Sequence, residues 1–401
     1  MGMAATHRIA PSVWLQLGSL ACGNPLLPNL RELGWVISTP QCIGLLSFLT
    51  PTLTRLRFVC LGIDTNDAPG DRRGWQSILQ ALLQYTFQAA PGITSLTITT
   101  GQIDYFTPHL SNLHSLRYFR GDRVDIRTLH ALATLINLEE LYVSQFVTTD
   151  ETPASFSGFS RLKVLTIIDH PLTNLIYGAF ASPQLEQLYI VSYPDQRYLD
   201  VASSCSIWAH CFPSLRVLSL NIYWEDDLTE PRPLRDGVAP LLALRNIQIA
   251  SITSLYTTFS IDDGDIAAFA QAWPRLKSLN LCYSSGGCGP SWPPMPSPTP
   301  SSFLALATSC PDLKEVRVRR IVVRHDTLPD LDKIDALPRQ HGLECLDTQH
   351  GDLEDAMVPE FAQWLDRLFP HLATHSFNAT WKRVLDAIRD CQTERTQRQS
   401  S

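Results

Sequence analysis

The sequence predicts an α/β solenoid in which short parallel strands alternate with helices. Three observations support this prediction. A phrase of the form Leu-x-x-Leu-x-apolar recurs along the chain, a proline often stands two residues before its first leucine, and an apolar pattern of helical period lies upstream of several copies. Self-similarity at a nearly constant period is the sequence signature of repeat architectures, in which each unit packs mainly against its neighbours.

Twelve copies of the phrase can be placed along the chain. The clearest ones follow a proline and begin at Leu30, Leu185, Leu215, Leu276 and Leu313. Looser copies begin at Leu53, Ile93, Leu113, Leu138, Leu162, Leu244 and Leu343. Leucine-rich repeats recur every ~20–29 residues, and most of the steps lie in or near that range. The longer steps predict loop insertions or full helices, and the longest leaves room for a missed repeat between Leu53 and Ile93.

The spacing within one copy explains why the units stack. The last two apolar residues alternate, so they lie on one face of a short strand, and the residue between them lies on the other face. The proline ends the preceding helix, because it lacks an N–H group and disfavours helical backbone before it. One unit cannot bury its apolar side alone. The sequence therefore predicts a curved leucine-rich-repeat solenoid with a parallel concave sheet, convex helices and a C-terminal helical cap.

The chain divides into three predicted parts. Residues 1–25 form an N-terminal tail with a capping helix, residues 26–350 hold about twelve repeats, and residues 351–401 form a helical cap and a polar tail that frays from Thr393. Residues 285–302 are rich in proline, serine and glycine, which predicts a mobile insert between two repeats. This insert is either a tolerated loop or a functional one, with a proline motif or a phosphorylation site at Ser297 or Thr299.

Composition narrows the class of partner. The net charge is −7 and the basic residues form no cluster, which argues against a nucleic-acid partner. No apolar run is long enough to predict a membrane span. The ten cysteines are scattered, as expected for small buried side chains in a reducing compartment. We therefore expect the protein in the cytoplasm or the nucleus.

No catalytic, cofactor-binding or metal-binding constellation stands out. The sequence has no P-loop, no Gly-x-Ser-x-Gly, no His-Glu-x-x-His and no Cys-x-x-Cys. The segment Asp262-Asp-Gly-Asp265 has some likeness to a calcium loop, but it lacks the later glutamate of such loops and predicts a turn with a helix cap instead. We expect a protein that is not an enzyme and has no cofactor.

The concave face is the predicted binding surface. The residue after the second leucine of each copy should point out of the sheet. In order, these residues are Gly34, Arg57, Thr97, Arg117, Tyr142, Thr166, Tyr189, Ser219, Gln248, Asn280, Arg317 and Asp347. Tyrosine and arginine are enriched among binding hot spots, although exposed strand positions also favour tyrosine without any binding role. The candidate protein-binding residues are Arg57, Arg117, Tyr142, Tyr189, Tyr223 and Trp224.

Several segments resemble a known family. Cys310-Pro-Asp-Leu313-Lys-Glu-Val316, Phe212-Pro-Ser-Leu215-Arg-Val-Leu218 and Trp273-Pro-Arg-Leu276-Lys-Ser-Leu279 resemble repeats of F-box leucine-rich-repeat proteins. The irregular spacing and Trp364-Leu-Asp-Arg-Leu-Phe-Pro370 are similar to the fungal (basidiomycete) F-box-like group, and the resemblance covers about residues 26–370. It implies the substrate-recognition part of a cullin-type ubiquitin ligase adaptor.

The F-box motif itself is not matched by the residues before the first repeat. We therefore expect purified residues 1–401 not to bind the cullin adaptor subunit. The alternative is a general leucine-rich-repeat interaction or inhibitor protein that is unconnected to ubiquitin.

Overall fold

A computed structural model describes most of the chain. The described residues are 11–21, 24–37, 42–60, 69–99, 106–147, 158–168, 180, 182–192, 198–223, 232–255, 259–284, 296–335, 337, 341–373 and 379–400. They fall into two compact units. The first comprises residues 1–170 and 178–184, and the second comprises residues 171–177 and 185–401.

The first unit is a parallel sheet with helices between the strands. Its described strands are β1 (Glu32–Ile37), β2 (Arg55–Cys60), β3 (Ser95–Thr99), β4 (Tyr118–Asp125), β5 (Glu140–Val147) and β6 (Val164–Ile168). They pair in sequence order, each parallel to the next. Its described helices are α1 (Pro11–Leu20), α2 (Pro69–Ala89), α3 (Thr107–Leu110), α4 (Ile126–Ala133) and the 3-10 helix Cys42–Phe48.

The second unit repeats this plan. Its main sheet contains β7 (Gln187–Ser192), β8 (Val217–Tyr223), β10 (Ile249–Leu255), β12 (Ser278–Ser284), β13 (Glu315–Val323) and β14 (Cys345–Leu353), paired in that order and all parallel. A two-residue ladder joins β9 (Arg232–Pro233) to β11 (Phe259–Ser260).

Helices lie between the strands of the second unit and also follow its last strand, β14. They are α5 (Tyr198–Cys211), α6 (Leu234–Val238), α7 (Asp263–Ala272), α8 (Pro300–Ser309), α9 (Leu331–Asp335), α10 (Val358–Leu368) and α11 (Ala379–Ser400), with 3-10 helices at Ala239–Ala243, His325–Thr327 and Asp355–Met357. The predicted α/β leucine-rich-repeat fold with C-terminal helices is thus confirmed.

One column of apolar side chains runs through the strands of each unit and forms the core. In the first unit this inner column is Leu33, Leu56, Leu96, Phe119, Leu141 and Leu165; in the second it is Leu188, Leu218, Ala250, Leu279, Val316 and Leu346. All are buried except Leu33, which is half-buried on the first strand. Each strand buries its apolar face only because a neighbouring strand continues the column.

A repeated turn precedes most of the strands, and the register of the strands corrects two predicted copies. The N–H of the first leucine donates to the carbonyl three residues earlier, as from Leu138 to Leu135 at 3.2 Å and from Leu215 to Phe212 at 3.2 Å. Leu116 donates to Leu113 in the same way, at 2.9 Å. Leu113 makes the same bond to Leu110, at 3.0 Å, so the strand register decides between the two positions. Phe119 pairs with Leu96 in the inner column, and the copy therefore begins at Leu116.

The same shift of three residues occurs in a later copy. Ile247 donates to the Leu244 carbonyl, and Ala250 pairs with Leu218 in the inner column. Leu116 and Ile247 are fully buried, but the inner-column positions predicted for them belong to Phe119 and Ala250. In both segments, four apolar residues follow one another at intervals of three positions. The repeat phrase can therefore be placed at two different starting residues with an equally good match.

A ladder of backbone hydrogen bonds runs along the amino-terminal edge of each sheet. In the first unit the N–H of Arg117 donates to the Thr94 carbonyl, Glu139 donates to Arg117, and Lys163 donates to Glu139, each at 2.8 Å. Arg216, Gln248 and Lys277 continue the pattern in the second unit. The ladder satisfies backbone groups that would otherwise lack partners between the turn and the strand.

The room left for a missed repeat is occupied by a helix. The 21-residue helix α2 lies between β2 and β3, and those two strands pair directly with each other. Its buried face includes Leu79 and Leu83. The long step between Leu53 and Ile93 therefore reflects a longer helical segment within one repeat.

The end of the predicted proline-rich insert is ordered. Thr299 is the N-cap of α8 and Pro300 is its first residue. The Asp263 carboxylate accepts hydrogen bonds from the Thr299 N–H at 2.7 Å, the Thr299 hydroxyl at 2.6 Å and the Ser302 hydroxyl. These bonds fix residues 296–302 against α7, so the predicted mobile segment excludes them. The remainder, residues 285–295, lies outside the described residues.

The acidic segment before α7 is a helix cap, as predicted. Asp262 and Asp265 form a capping box, in which each carboxylate accepts from the backbone N–H of the other at 2.9 Å. Asp265 also accepts from the Arg235 N–H at 3.0 Å. Burial raises the pKa of the Asp265 carboxyl to about 6, against the opposing effect of these N–H donors and of the Arg235 guanidinium.

The last helix continues through the segment that was expected to fray. Helix α11 extends to Ser400 and packs on α10 and β14. Trp381 is buried, donates from Nε1 to the Leu346 carbonyl at 3.1 Å and meets Phe361 edge-on. Beyond Thr393, the Arg395 guanidinium donates to both oxygens of the Asp366 carboxylate at 3.0 Å. This ion pair explains why the polar end remains helical.

Candidate protein-binding surface

The face of each sheet opposite the inner column carries polar side chains. We call the row one residue after the inner column the outer lane. In the first unit it contains Gly34, Arg57, Thr97, Arg120, Tyr142 and Thr166; in the second it contains Tyr189, Ser219, Ser251, Asn280, Arg317 and Asp347. Each of these residues is exposed or half-buried. The predicted outward positions of Arg57, Tyr142 and Tyr189 are correct.

Arg120 and Tyr142 are the most organised pair of the first outer lane. They are register partners on β4 and β5, and the Arg120 guanidinium carbon lies 4.1 Å from the centroid of the Tyr142 ring. The ring quadrupole attracts a cation placed over its face. This contact restricts the Arg120 side chain, and among the described residues no carboxylate pairs with its guanidinium.

Arg117 does not lie in the outer lane. It is three residues earlier, in the edge ladder, and its side chain is 67% exposed with Nη1 3.8 Å from Glu139 Oε1. Lys163 lies 3.5 Å from the same glutamate. The prediction of Arg117 was wrong because it placed the start of this copy three residues too early. A copy that begins at Leu116 puts Arg120 in the outer lane. The pattern Leu-x-x-Phe at Leu116–Phe119 was the signal in the sequence that could have identified this start.

Arg57 occupies the lane two strands from Arg120. Thr97 of β3 is the register partner of both arginines and stands between them. Along β2, Arg55 lies beside Arg57 on the same face, and its guanidinium is 3.5 Å from the Glu32 carboxylate. Neither Arg57 nor Arg120 has an ion-pair partner among the residues that the structure describes.

The outer lane of the second unit is made of shorter polar groups. The Tyr189 hydroxyl donates to Gln187 Oε1 at 2.9 Å, and Asn280 Nδ2 donates to Ser251 Oγ at 3.1 Å. Arg317 is paired with Glu315 at 2.6 Å. The predicted outward residue Gln248 belongs to the edge ladder instead, and Ser251 takes its place.

The remaining predicted site residues are only partly placed. Tyr223 is the last residue of β8, and its side chain lies outside the described part of the chain. Trp224 also lies outside the described residues. The structure therefore places Arg57 and Tyr142 in one lane of the first unit and Tyr189 in the lane of the second.

Six cysteines whose side chains the structure describes are free thiols of low nucleophilicity. They are Cys205, Cys211, Cys282, Cys310, Cys345 and Cys391. Burial raises the pKa of the Cys282 and Cys310 thiols to about 11. A reactive cysteine needs a lowered pKa, because the thiolate is the nucleophile. Cys310 instead lies within hydrogen-bond distance of two backbone carbonyls, those of Ala270 and Trp273, at 3.6 Å each.

A cleft of about 1070 Å³ lies among the C-terminal helices of the second unit, and no outer-lane residue lines it. Its lining includes His341, Asp366, Cys391 and Arg395. Arg395 is engaged by Asp366 and by the Pro370 carbonyl, to which Nη2 donates at 2.8 Å. The strongest charged groups of this cleft thus hold α11 against α10.

Within the described ranges, no three side chains of the metal-ligating types come together as a cation site. None of the helices described is both long enough and apolar enough to cross a membrane.

Comparisons with known proteins give the following picture. No family model matches the sequence, and no curated protein matches it significantly. Among solved structures, an internalin of Listeria monocytogenes aligns over 86% of this chain and 91% of its own length, with 14% identity and a TM-score of 0.34. A second internalin from that organism covers 60% of this chain and 83% of its own, with 16% identity and a TM-score of 0.34.

A third similar structure is the complex of Rad7 and Elc1 from yeast. The alignment covers 84% of this chain and 88% of that chain, with 14% identity and a TM-score of 0.34. TM-scores this low carry no argument about relationship. The leucine-rich-repeat assignment of the chain rests on the strand register, the repeated turn and the edge ladder.

Proposed function

We propose that this chain is a non-catalytic scaffold that binds a protein partner on the outer lanes of its sheets. The observation that carries the proposal is the first outer lane, where Arg120 lies over the Tyr142 ring at 4.1 Å. Neither side chain contributes to the inner column, so the pairing has no role in burying the core. Rigid aromatic groups and arginine forks are the residue types that dominate interface energetics.

The finer proposal is substrate recognition for an F-box-like ubiquitin ligase adaptor inside the cell, in the cytoplasm or nucleus. Its support is the resemblance of the proline-led repeats to those of F-box leucine-rich-repeat proteins. Free thiols at the six cysteines whose side chains the structure describes are consistent with a reducing compartment. A general interaction or inhibitor role, unconnected to ubiquitin, uses the same lanes and is separated from the adaptor role by the identity of the partners.

The experiment blocks each lane sterically. Thr97→Trp fills the centre of the first outer lane and Ser251→Trp fills that of the second; both residues are half-buried and face away from the inner column. Gln84→Trp, on the exposed side of α2, is the matched control. The tagged chain and its variants are used to capture native complexes, which are compared by quantitative mass spectrometry.

We expect one or more partners to be retained by Gln84→Trp and lost with at least one lane variant of unchanged melting temperature. Recovery of a cullin and its adaptor subunit with the parent chain supports the ligase role and shows that a divergent F-box was missed in the sequence. A partner captured without them favours the general interaction role. Partners that bind both lane variants as well as the parent contradict the lane proposal.

A further inference from the structure

We infer that the first outer lane holds an acidic protein segment, whose carboxylates are bound by Arg57 and Arg120 on either side of Thr97. This inference rests on the proposed function and names the chemistry of the partner. Of the six residues in the lane, two are arginines and none is acidic. The chain as a whole carries a net charge of −7, so a lane with only positive charges runs against its average composition.

In the part of the chain that the structure describes, neither lane guanidinium pairs with a carboxylate, so both can bind an external anion. The described carboxylates on the same face are Glu32, Asp122 and Glu140. Glu32 is 3.5 Å from Arg55, and Asp122 Oδ1 accepts from the Ser144 hydroxyl at 3.4 Å. None of the three lies within ion-pair distance of either lane arginine.

The distance between Arg57 and Arg120 allows two carboxylates of one segment to bind. Adjacent strands lie about 4.8 Å apart, so the backbones of β2 and β4 are about 10 Å apart across β3. Thr97 has a small side chain and leaves space between the longer arginines. In an extended segment, side chains on one face recur every ~7 Å. Two alternate acidic residues can therefore each reach one flexible arginine, because the arginines can lean toward each other over Thr97.

Tyr142 acts as a positioning residue for this site. Its ring lies 4.1 Å from the Arg120 guanidinium carbon and restricts that side chain, so less side-chain freedom is lost when a carboxylate binds. Arginine suits this task because its planar fork donates two parallel hydrogen bonds to one carboxylate. An acidic protein segment is favoured over a nucleic acid, because phosphate-backbone binding requires a more extensive basic surface than two arginines.

The test uses a fluorescein-labelled hexaglutamate peptide as the probe, with binding followed by anisotropy at low ionic strength. The double variant Arg57→Gln/Arg120→Gln removes both charges of the lane. The control is Arg55→Gln/Arg161→Gln, which removes the same charge from the same unit at exposed positions outside the lane. We expect the lane variant to bind at least about tenfold more weakly, the loss of two charge-assisted contacts, and the control to stay within about twofold of the parent.

Two further measurements sharpen the result. Tyr142→Phe keeps the ring and should bind as the parent does, while Tyr142→Leu removes it and should weaken binding several-fold. A mixed twelve-nucleotide single-stranded DNA should bind more weakly than hexaglutamate. Tighter DNA binding that depends on Arg57 and Arg120 overturns the inference in favour of a nucleic acid.

Failure of this inference can be told apart from failure of the proposed function. If hexaglutamate binds both double variants equally, or does not bind the parent, while Thr97→Trp still releases a native partner, the lane is a binding surface but not an acidic-segment site. If Thr97→Trp releases no partner, the proposed use of the first lane fails as well.

Discussion

At the scale of single residues, the alternation within each strand separates stability from binding. Leu218 is fully buried in the inner column, and the next residue, Ser219, lies in the outer lane. We expect Leu218→Ala to destabilise the fold by ~2–5 kcal/mol, because truncation removes apolar burial and leaves a cavity. Ser219→Ala is the control and should change stability by less than about 0.5 kcal/mol. Urea unfolding measures both, and equal midpoints for the two variants would contradict the assigned register.

His341 is a buried titratable side chain whose two ring nitrogens both hydrogen-bond to the backbone. Its Nδ1 accepts from the Leu343 N–H at 3.3 Å, so the ring proton is on Nε2, which lies 2.9 Å from the Cys310 carbonyl. Burial lowers the pKa of this histidine, Lys314 lowers it further, and the bond to the Cys310 carbonyl opposes both. A proton on Nδ1 would break the bond from Leu343.

This arrangement predicts a pH dependence of stability with a definite sign. Above the unfolded pKa of about 6.5, both states are neutral and the contribution of His341 is fully present. As the pH falls below that value, the unfolded state takes up a proton that the folded state resists, so stability is lost. Unfolding of the parent and of His341→Gln between pH 7.5 and 5.5 should show the gap between them narrowing with acid. An exposed-site control, His114→Gln, should keep the profile of the parent.

The same scale shows where sequence reasoning reaches its limit. The residues of the inner column were predictable wherever leucines fit only one phase, as at Leu56, Leu141 and Leu188. At Leu113 and Leu244, a further apolar residue three positions on makes two phases equivalent, and only the register of the neighbouring strands distinguishes them. Because of this ambiguity, the sequence predicted Arg117 rather than Arg120 as the arginine of the lane. Both residues are basic and neither is buried, so composition does not tell them apart.

At the scale of elements, hydrogen bonds and ion pairs of individual side chains, rather than apolar patterns, decide where two of the helices begin or end. The polar sequence after Thr393 predicts fraying, since nothing in its composition provides a buried face. Its stability comes from contacts distant in sequence: Arg395 binds the buried Asp366 carboxylate and the Pro370 carbonyl. Likewise, Thr299 and Asp263 start α8 inside a segment whose prolines predict a mobile loop. Contacts of this kind are invisible to local sequence patterns.

The ion pair between Arg395 of α11 and Asp366 of α10 leads to a prediction about local unfolding of the end of α11. Arg395→Gln cannot bind both carboxylate oxygens and the Pro370 carbonyl, so Asp366 is left buried without its cation. We expect amide exchange in residues 389–400 to become at least about tenfold faster, because local unfolding no longer breaks the ion pair. Lys382→Gln removes the same charge at an exposed position of α11 and is the control. Unchanged amide exchange in Arg395→Gln would show that the contacts of Arg395 do not stabilise the end of the helix.

At the scale of the whole molecule, a solenoid leaves the apolar side of its last repeat without a following strand. In this chain α11 covers that position: Trp381, Val384, Leu385 and Ile388 are buried, and α11 packs on α10 and β14. The presence of apolar helices after the last repeat was predictable from their spacing. The reach of α11 was not, because it depends on how the helix meets Asp366.

Removal of this covering helix should therefore affect the stability of the chain as a whole. A chain ending at Ala373 loses the four buried side chains of α11, each worth ~1.5–3 kcal/mol of burial, and exposes the apolar surface of α10 and β14. That loss is comparable with the ~5–15 kcal/mol that stabilises a typical domain. We expect this chain to aggregate, or to melt well below the parent, in size-exclusion chromatography and thermal unfolding. A chain ending at Asp390 keeps the four side chains but not Arg395, and should remain monomeric with a smaller decrease in melting temperature. If the chain ending at Ala373 is monomeric and melts as the parent does, α11 is not the element that covers the last repeat.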